Sequence, residues 1–254
     1  MEEITLQTKD AAFLYVDCED KGIIQELAEY FTFFVPGYKF MPQFRNKMWD
    51  GKVRLLNLRD QSIYSGLYKY IAAFAAERNI AVKILPHGIK SEANLPGAHQ
   101  EVDMSFIDEY ILPFAPRDYQ LSAVQYALEN KRGLLVSPTA SGKSLIIYLI
   151  IRWFLDRFDK RVLIIVPTTS LVQQMYSDFG DYSQFDDNFN HEEMIHRIYS
   201  GRPKFAENER IIVSTWQSIY KLNAEWFSQF GMVIGDEAHN FKAKSLISIL
   251  SKLL

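Results

Sequence analysis

Leu134-Leu135-Val136-Ser137-Pro138-Thr139-Ala140-Ser141-Gly142-Lys143-Ser144-Leu145-Ile146-Ile147-Tyr148 is the stretch that decides the fold. Three aliphatic residues run into a loop of small residues, the loop ends in Gly-Lys-Ser, and an apolar helical run follows. Strand, tight turn and helix in that order make a phosphate-binding loop. Backbone N–H groups of residues 139–144 and the positive end of the helix would wrap a polyphosphate. Thr139, Ala140, Ser141, Gly142, Lys143 and Ser144 are thus the candidate nucleotide-binding residues. Lys143 would place a cation on the β/γ-phosphates and the Ser144 hydroxyl would ligate Mg²⁺. Ser137 stands where the general pattern has its first glycine. Gly142 serving as a plain turn cap with Lys143 in solvent is the structural alternative.

Working outward, short apolar strands (Gly133–Val136, Val162–Val166, Ile211–Ser214 and Met232–Ile234) alternate with amphipathic helices near 118–130, 143–157, 169–180 and 243–252. That alternation predicts right-handed β-α-β units, a parallel sheet and an α/β fold whose ligands sit beyond the carboxyl ends of the strands. The last strand runs into Asp236-Glu237-Ala238-His239. Two adjacent carboxylates after an apolar strand suit a dication site, with Asp236 in the Mg²⁺ shell and Glu237 as base toward the attacking water. An acidic helix N-terminus is the other way to use such a pair. No second histidine lies at ligand spacing from His239.

The first third reads differently. Phe13–Val16, Val53–Leu56 and Ile80–Leu85 are strand-like. Ile23, Ile24, Leu27, Tyr30, Phe31 and Phe34 share a helical face, as do Leu67, Tyr70, Ile71 and Phe74. We read residues 1–86 as a small α+β domain, 87–113 as a linker within the Pro86–Pro116 stretch that holds four of the nine prolines with Gly88 and Gly97, and 114–254 as the nucleotide-binding lobe. Among 254 residues, 48% are hydrophobic and 23% charged, with a net charge of −3. This is a soluble composition, with no apolar run of membrane-spanning length. The single cysteine, Cys18, excludes an internal disulfide and a thiolate zinc cluster, and points to a reducing, cytoplasmic setting. The acidic start, Met1-Glu2-Glu3, does not resemble a leader.

The neutral total hides a dipolar first domain. Residues 38–59 carry Lys39, Arg45, Lys47, Lys52, Arg54 and Arg59 against Asp50 alone, a balance of +5. Residues 1–35 carry two lysines against eight acids, a balance of −6. Tyr38, Phe40, Phe44 and Trp49 interleave with the bases. Arg45, Lys47, Lys52 and Arg54 are candidates for DNA phosphates, and Trp49 for stacking on an unpaired base. The Ser200-Gly201-Arg202-Pro203-Lys204 turn is a further phosphate candidate.

Taken together, five pieces in order resemble the superfamily 2 helicases and translocases of the DExH type. Arg117-Asp118-Tyr119-Gln120 resembles their adenine-recognition motif and Pro138–Ser144 their motif I, in which glycine usually replaces Ala140. Val166-Pro167-Thr168-Thr169-Ser170-Leu171-Val172-Gln173-Gln174 resembles motif Ia, Thr215-Trp216-Gln217-Ser218 motif Ib, and Asp236–His239 motif II. Residues 38–59, 164–169 and 225–232 are similar to the UvsW family of phage recombination helicases. The resemblance implies adenine contacts from Arg117 and Gln120, DNA-backbone contacts from Thr168, Thr169 and Thr215, and a coupling role for His239. It also implies ATP and Mg²⁺ as cofactors and RecA-like lobes behind a small α+β domain. The function it implies is ATP-dependent helicase or translocase work on branched or double-stranded DNA in recombination and repair, by a monomer in the host cytoplasm. A DNA-binding module with an incomplete ATPase is the other reading. A small-molecule kinase or transporter ATPase would have no use for Thr168–Gln174 and Thr215–Ser218.

The family continues past motif II with a motif III strand and a second RecA-like lobe carrying arginine fingers. That strand lies between the P-loop strand and the motif II strand. We therefore expect an incomplete sheet with unpaired flanking strands, and 254 residues that bind DNA and ATP without unwinding.

Overall fold

The computed structural model describes residues 2–9, 13–85, 101–130, 132–138, 140–239 and 244–253. Contacts divide the chain into two units, Met1–His99 and Gln100–Leu254. The first unit holds β1 (Glu3–Thr8), β2 (Phe13–Asp17), α1 (Lys21–Tyr30), β3 (Thr32–Phe34), α2 (Pro42–Arg45), β4 (Lys52–Arg54), β5 (Ser62–Tyr64), α3 (Tyr68–Glu77) and β6 (Ala81–Leu85). Its main sheet has the order β5-β2-β1-β6, with β6 parallel to β1 and the other pairs antiparallel. Ile4 and Leu6 of β1, Leu14 and Val16 of β2 and Ile63 of β5 point to one face. There they bury against Ile23, Ile24 and Leu27 of α1 and Ile71 and Phe74 of α3. Alternation along the strands and the i, i+3/i+4 spacing on the helices produce that core.

The first helix stops earlier than its apolar spacing predicts. It ends at Tyr30, and Phe34, expected on the helix face, lies in β3, half exposed. Thr32-Phe33-Phe34 is a β-branched and aromatic run that prefers extended backbone. It pairs with β4 in a two-stranded ribbon (Thr32↔Arg54, Phe34↔Lys52). β1 and β5 were not anticipated.

The second unit holds α4 (Asp118–Asn130), α5 (Lys143–Arg157), β7 (Arg161–Val166), α6 (Thr169–Ser183), α7 (His191–Met194), β8 (Ile195–Ile198), β9 (Ile211–Thr215), α8 (Trp216–Ile219), α9 (Ala224–Phe227), β10 (Phe230–Gly235) and α10 (Lys244–Lys252). Its sheet is parallel throughout, in the order β10-β7-β9-β8. Both faces are covered. Val162, Ile164 and Val166 of β7 join the core under α4, α5 and α6, while Leu163 and Ile165 join Ile219, Phe227, Leu246 and Ile249 on the opposite side. That is the doubly covered parallel sheet expected of an α/β lobe. β8 was not anticipated.

Two expectations need correction. Residues 101–113, read as part of a linker, are packed structure: Phe106 and Tyr110 are buried against α5, with Val102, Met104, Ile107 and Leu112 beside them. A short 3-10 helix, Met104–Glu109, carries Phe106, Met104 and Ile107 ahead of Pro113. The remainder of the proposed linker, 87–100, lies outside the described residues. More consequentially, Gly133–Val136 forms no strand. Leu134, Leu135 and Val136 are 66%, 38% and 91% exposed. The described sheet ends at β10, so the apolar run before the phosphate loop has no ladder to join.

Helix α5 is buried almost all round, and its one charged interior residue is neutralised in place. Arg152 donates to Asp186 and to the Tyr148 hydroxyl, each at 2.7 Å, and its guanidinium lies 4.3 Å from the centre of the Tyr110 ring. Removing either partner of a buried pair of this kind costs about 3–5 kcal/mol. The helix that starts at Lys143 is therefore fixed from its middle by an aromatic-boxed ion pair.

Candidate functional site

The phosphate-binding loop is shaped by side chains from α4. Gln120 is buried and uses both ends of its amide: Oε1 accepts from the Arg117 N–H at 2.9 Å, and Nε2 donates to the Ser141 carbonyl at 3.1 Å. The Tyr119 hydroxyl donates to the same carbonyl at 2.9 Å and lies 3.3 Å from an Arg117 guanidinium nitrogen. Gly142 has φ +74°, and a Cβ there would stand 2.4 Å from Gln120 Nε2, so both the turn and the clamp require glycine. Ser137 and Ser141 hydroxyls bond across the loop. Lys143 opens α5, and Ser144 follows with its hydroxyl 2.8 Å from that of Tyr182 on α6. Thr139 lies outside the described residues.

The acidic pair follows β10. Asp236 donates its N–H to the Ile165 carbonyl of β7 at 2.9 Å, and its Oδ1 accepts the Glu237 N–H at 2.9 Å. Glu237 Oε2 lies 3.2 Å from His239 Nδ1, and the His239 side chain is exposed. Because β10 and β9 flank β7, the carboxyl ends of three adjacent strands carry Asp236 and Glu237, Thr168 and Thr169, and Thr215. Thr168 caps α6 by accepting from the Leu171 N–H at 3.3 Å, Thr169 is the first residue of that helix, and Thr215 pairs with the Ser218 hydroxyl at 2.9 Å. Among the described residues no hydrogen bond or ion pair joins Lys143 or Ser144 to Asp236 or Glu237. A magnesium ion takes most of its ligands from phosphate and water and needs few from protein. One hydroxyl, Ser144, and one carboxylate, Asp236, are donors of the right kind, but the structure does not bring them together: Ser144 meets Tyr182 near the carboxyl end of α6, and Asp236 follows the strand ends beside its amino end. Among the described residues no group of three or more His, Cys, Asp or Glu side chains offers a self-sufficient metal cage.

Backbone strain in this unit falls on the same two motifs. Its described non-glycine residues at positive φ are Ala140 at +63° and Glu237 at +54°. Left-handed backbone costs an L-residue about 1–2 kcal/mol and is held where a loop must aim its groups.

In the first unit, Lys39, Phe44, Arg45, Lys47, Met48, Trp49 and Asp50 line one open groove. Gly51, at φ +81°, lets the chain pass against the Tyr38 ring, which a Cβ would meet at 2.2 Å. The sequence-nominated cations divide into two kinds. Arg54 is ion-paired with Asp50, whose carboxyl the hydrogen bond from Arg54 holds down at about 2. Lys52 lies 5.0 Å above the Phe34 ring, leaving its charge presented beside an aromatic face. Trp49 is half-buried, its indole N–H donating to the Lys52 carbonyl at 2.8 Å, so it braces the turn. Phe40 and Met48, 77% and 79% exposed, are the most exposed of the large apolar side chains described in this stretch. Met48 was not singled out by the sequence, since exposure of a methionine leaves no periodic signal. Tyr119 and Tyr182 were also missed. Tyr119 stands inside a quoted motif, while Tyr182 has only its spacing on the apolar face of α6.

Replacing Ala140 by Gly should raise the unfolding midpoint in urea, by a stability gain of about 1 kcal/mol, because glycine relieves the left-handed strain. A lowered midpoint would show that the Ala140 methyl contributes packing that outweighs it.

The comparisons with known proteins bear on both units. Residues 113–253 match the family model described as type III restriction enzyme, res subunit. Residues 3–85 match the model described as DNA helicase UvsW, N-terminal. The ATP-dependent DNA helicase UvsW of Enterobacteria phage T4 is 36% identical over 256 residues, covering 99% of this chain and 49% of the relative. The DNA 3'-5' translocase XPB2 of Sulfurisphaera tokodaii is 30% identical over 158 residues, covering 60% of this chain and 32% of the relative. The chain thus spans about half the length of the first of these relatives. A crystal structure of the T4 UvsW helicase superposes with a TM-score of 0.73 at 34% identity, covering 99% of this chain and 88% of that one. A second T4 UvsW structure gives 0.76, covering 50% of its chain. With its motif order, its doubly covered parallel sheet and these matches across both units, the chain belongs to the superfamily 2 helicases, in the UvsW-like branch.

Proposed function

We propose that this chain supplies the DNA-binding domain and the first motor lobe of an ATP-dependent DNA helicase or translocase that acts on branched or double-stranded DNA in recombination and repair. The observation that carries the reading is the strand-end arrangement of the second unit. Acidic pair and threonines sit on three neighbouring strand ends, and a glycine-hinged Lys-Ser loop opens the buried helix α5. In this reading the loop amides and Lys143 bind the ATP phosphates. Ser144 and Asp236 would hold Mg²⁺ once the loop closes on the strand ends, and the ion would supply neutralisation of phosphate charge. Glu237 orients and deprotonates water, its carboxylate held beside His239. His239, exposed next to that carboxylate, is the coupling residue toward DNA. Arg117 and Gln120 serve the adenine end, in addition to the bonds by which Gln120 shapes the loop.

Thr168, Thr169 and Thr215 would meet the DNA backbone with hydroxyl and N–H donors, which carry no base identity. Arg45, Lys47 and Lys52 would supply sequence-independent attraction from the first unit. Arg54 would contribute less, since Asp50 already neutralises it. Trp49 serves mainly as a brace for that turn. We place the first domain at 1–86 and the motor lobe from 101 onward, since residues 101–113 carry core side chains of that lobe.

One observation favours the second reading, a DNA-binding module with incomplete ATPase, for these 254 residues acting by themselves. The outer edge of β10 has no strand partner among the described residues, and Leu134–Val136 stands outside the sheet.

Lys143→Ala should abolish detectable ATP binding in a calorimetric titration, because it removes the loop's cation. Glu237→Gln, in a polypeptide that carries both lobes, should leave ATP binding intact and stop turnover. Hydrolysis by that variant at the wild-type rate would refute the assignment of the base. For the first unit, Lys47→Ala with Lys52→Ala should weaken binding to every duplex sequence alike and flatten the plot of log K against log salt by about 2 units. An unchanged slope would place the patch off the DNA path.

A further inference from the structure

We propose that Met48 is an apolar wedge that enters the base stack of DNA at a branch point, with the cations around it on the neighbouring phosphates. It rests on the reading of residues 38–59 as a DNA-binding surface, and adds the side chain by which that surface would recognise a branch. Met48 stands two residues past Asn46, which caps the carboxyl end of α2. The Lys47 N–H donates to the Phe44 carbonyl at 3.0 Å, and the Met48 N–H to the Gln43 carbonyl at 2.9 Å. This pair of bonds is a common way to end a helix. It usually sets glycine at the left-handed position and packs the next, apolar side chain back onto the helix. The chain departs from that pattern at both positions. Lys47 takes the left-handed backbone, at φ +55°, despite its Cβ. Met48, opposite the polar Gln43, is left in solvent.

Neither departure helps the fold, since one adds strain and the other forgoes burial. Strain held at a turn with an exposed apolar tip points to a ligand-facing element. The surroundings indicate the ligand. Lys39, Arg45 and Lys47 line the groove with Met48, and its acid, Asp50, is ion-paired with Arg54. Among the described residues no ion pair engages Lys39, Arg45 or Lys47. Trp49 is committed to the Lys52 carbonyl, which leaves Met48 to project. A bare apolar side chain amid free cations matches DNA, whose phosphates flank its bases. Methionine is among the residues that proteins insert between base steps, and its flexible thioether adapts to an irregular gap. Insertion costs unstacking, which is smallest where pairing is already interrupted. The wedge therefore favours a branch point, whereas the cations serve branch and continuous duplex alike.

The measurement uses the 254-residue chain with two DNAs of equal charge, a continuous duplex and a three-way junction carrying 2-aminopurine beside the branch. We expect the wild type to bind the junction more tightly and to raise the probe's fluorescence as it loses its stacking neighbour. Met48→Ala should lose that rise at saturation and weaken junction binding roughly 4–15-fold, the worth of one or two buried methylene-sized groups. Duplex affinity and the slope of log K against log salt should stay unchanged in Met48→Ala, because methionine carries no charge. Met48→Leu should keep both junction signals. A fluorescence rise and junction affinity that persist in Met48→Ala overturn the wedge, as does a wild type that leaves the probe stacked. Equal weakening on duplex and junction marks a general surface contact and also overturns it. If Lys47→Ala with Lys52→Ala leaves the salt slope unchanged, the DNA reading of residues 38–59 is lost and Met48 with it. If that slope flattens while Met48→Ala is silent, the surface stands and the wedge alone is lost.

Discussion

The side-chain amide of Gln120, wedged between the Arg117 N–H and the Ser141 carbonyl, is the interaction on which the candidate nucleotide site depends. A phosphate-binding loop usually takes its shape from two anchored ends, a buried strand before it and a helix after it. Here the helix is anchored, through Arg152 and Asp186, but the residues before the loop lie outside the sheet and are exposed. The loop's incoming end therefore has to be held from the side. Gln120 and Tyr119 do this from α4, converging on one carbonyl, with Gly142 leaving room for the amide. A neutral residue that satisfies a backbone donor and a backbone acceptor together is hard to replace, because its loss takes the partner from the Arg117 N–H and leaves the Ser141 carbonyl to Tyr119 alone.

From that clamp the rest of the site follows by strand order. β7, paired on both sides, is the centre of the described sheet, and its neighbours β10 and β9 deliver the acidic pair and Thr215 to the same end as Thr168. Strain is concentrated where groups must be aimed: Ala140 in the loop and Glu237 after the sheet are both left-handed. The first unit solves a different problem. Its ribbon β3–β4 and the turn through Gly51 gather cations around a groove, with Trp49 committed to the turn and Arg54 to Asp50. The surface that remains for phosphates is smaller than the +5 balance of residues 38–59 suggests.

Much of this was legible in the sequence because it is local. Strand–loop–helix patterning placed β7, β9, β10 and helices α4, α5, α6 and α10, and alternation placed β2, β4 and β6. What escaped depends on partners far along the chain. β1 is paired by β2 on one side and β6 on the other, and its own Glu-Ile-Thr-Leu-Gln-Thr gives only a short alternation. Leu134–Val136 carries a strand's composition but lacks a neighbour, which no local pattern reveals. Residues 101–113 lie in a stretch punctuated by Pro86, Pro96, Pro113 and Pro116, yet Phe106 and Tyr110 are core. At the site, residue types and spacing nominated Lys143, Ser144, Asp236 and Glu237, whereas Tyr119 and Tyr182 act through contacts 22 and 38 residues away in sequence.

Amide hydrogen exchange of the nucleotide-free chain, compared between the wild type and Gln120→Ala, tests the clamp most directly, since no adenine contact complicates the result. The account predicts that the Ser141, Leu145 and Ile146 amides, whose bonds to Pro138 and Gly142 close the loop and the first helical turn, exchange at least about tenfold faster in the variant, a loss of roughly 1.4 kcal/mol of local stability. Amides of β7 and β9 should be unchanged. Equal protection of the loop in the two proteins would contradict the claim that Gln120 holds it.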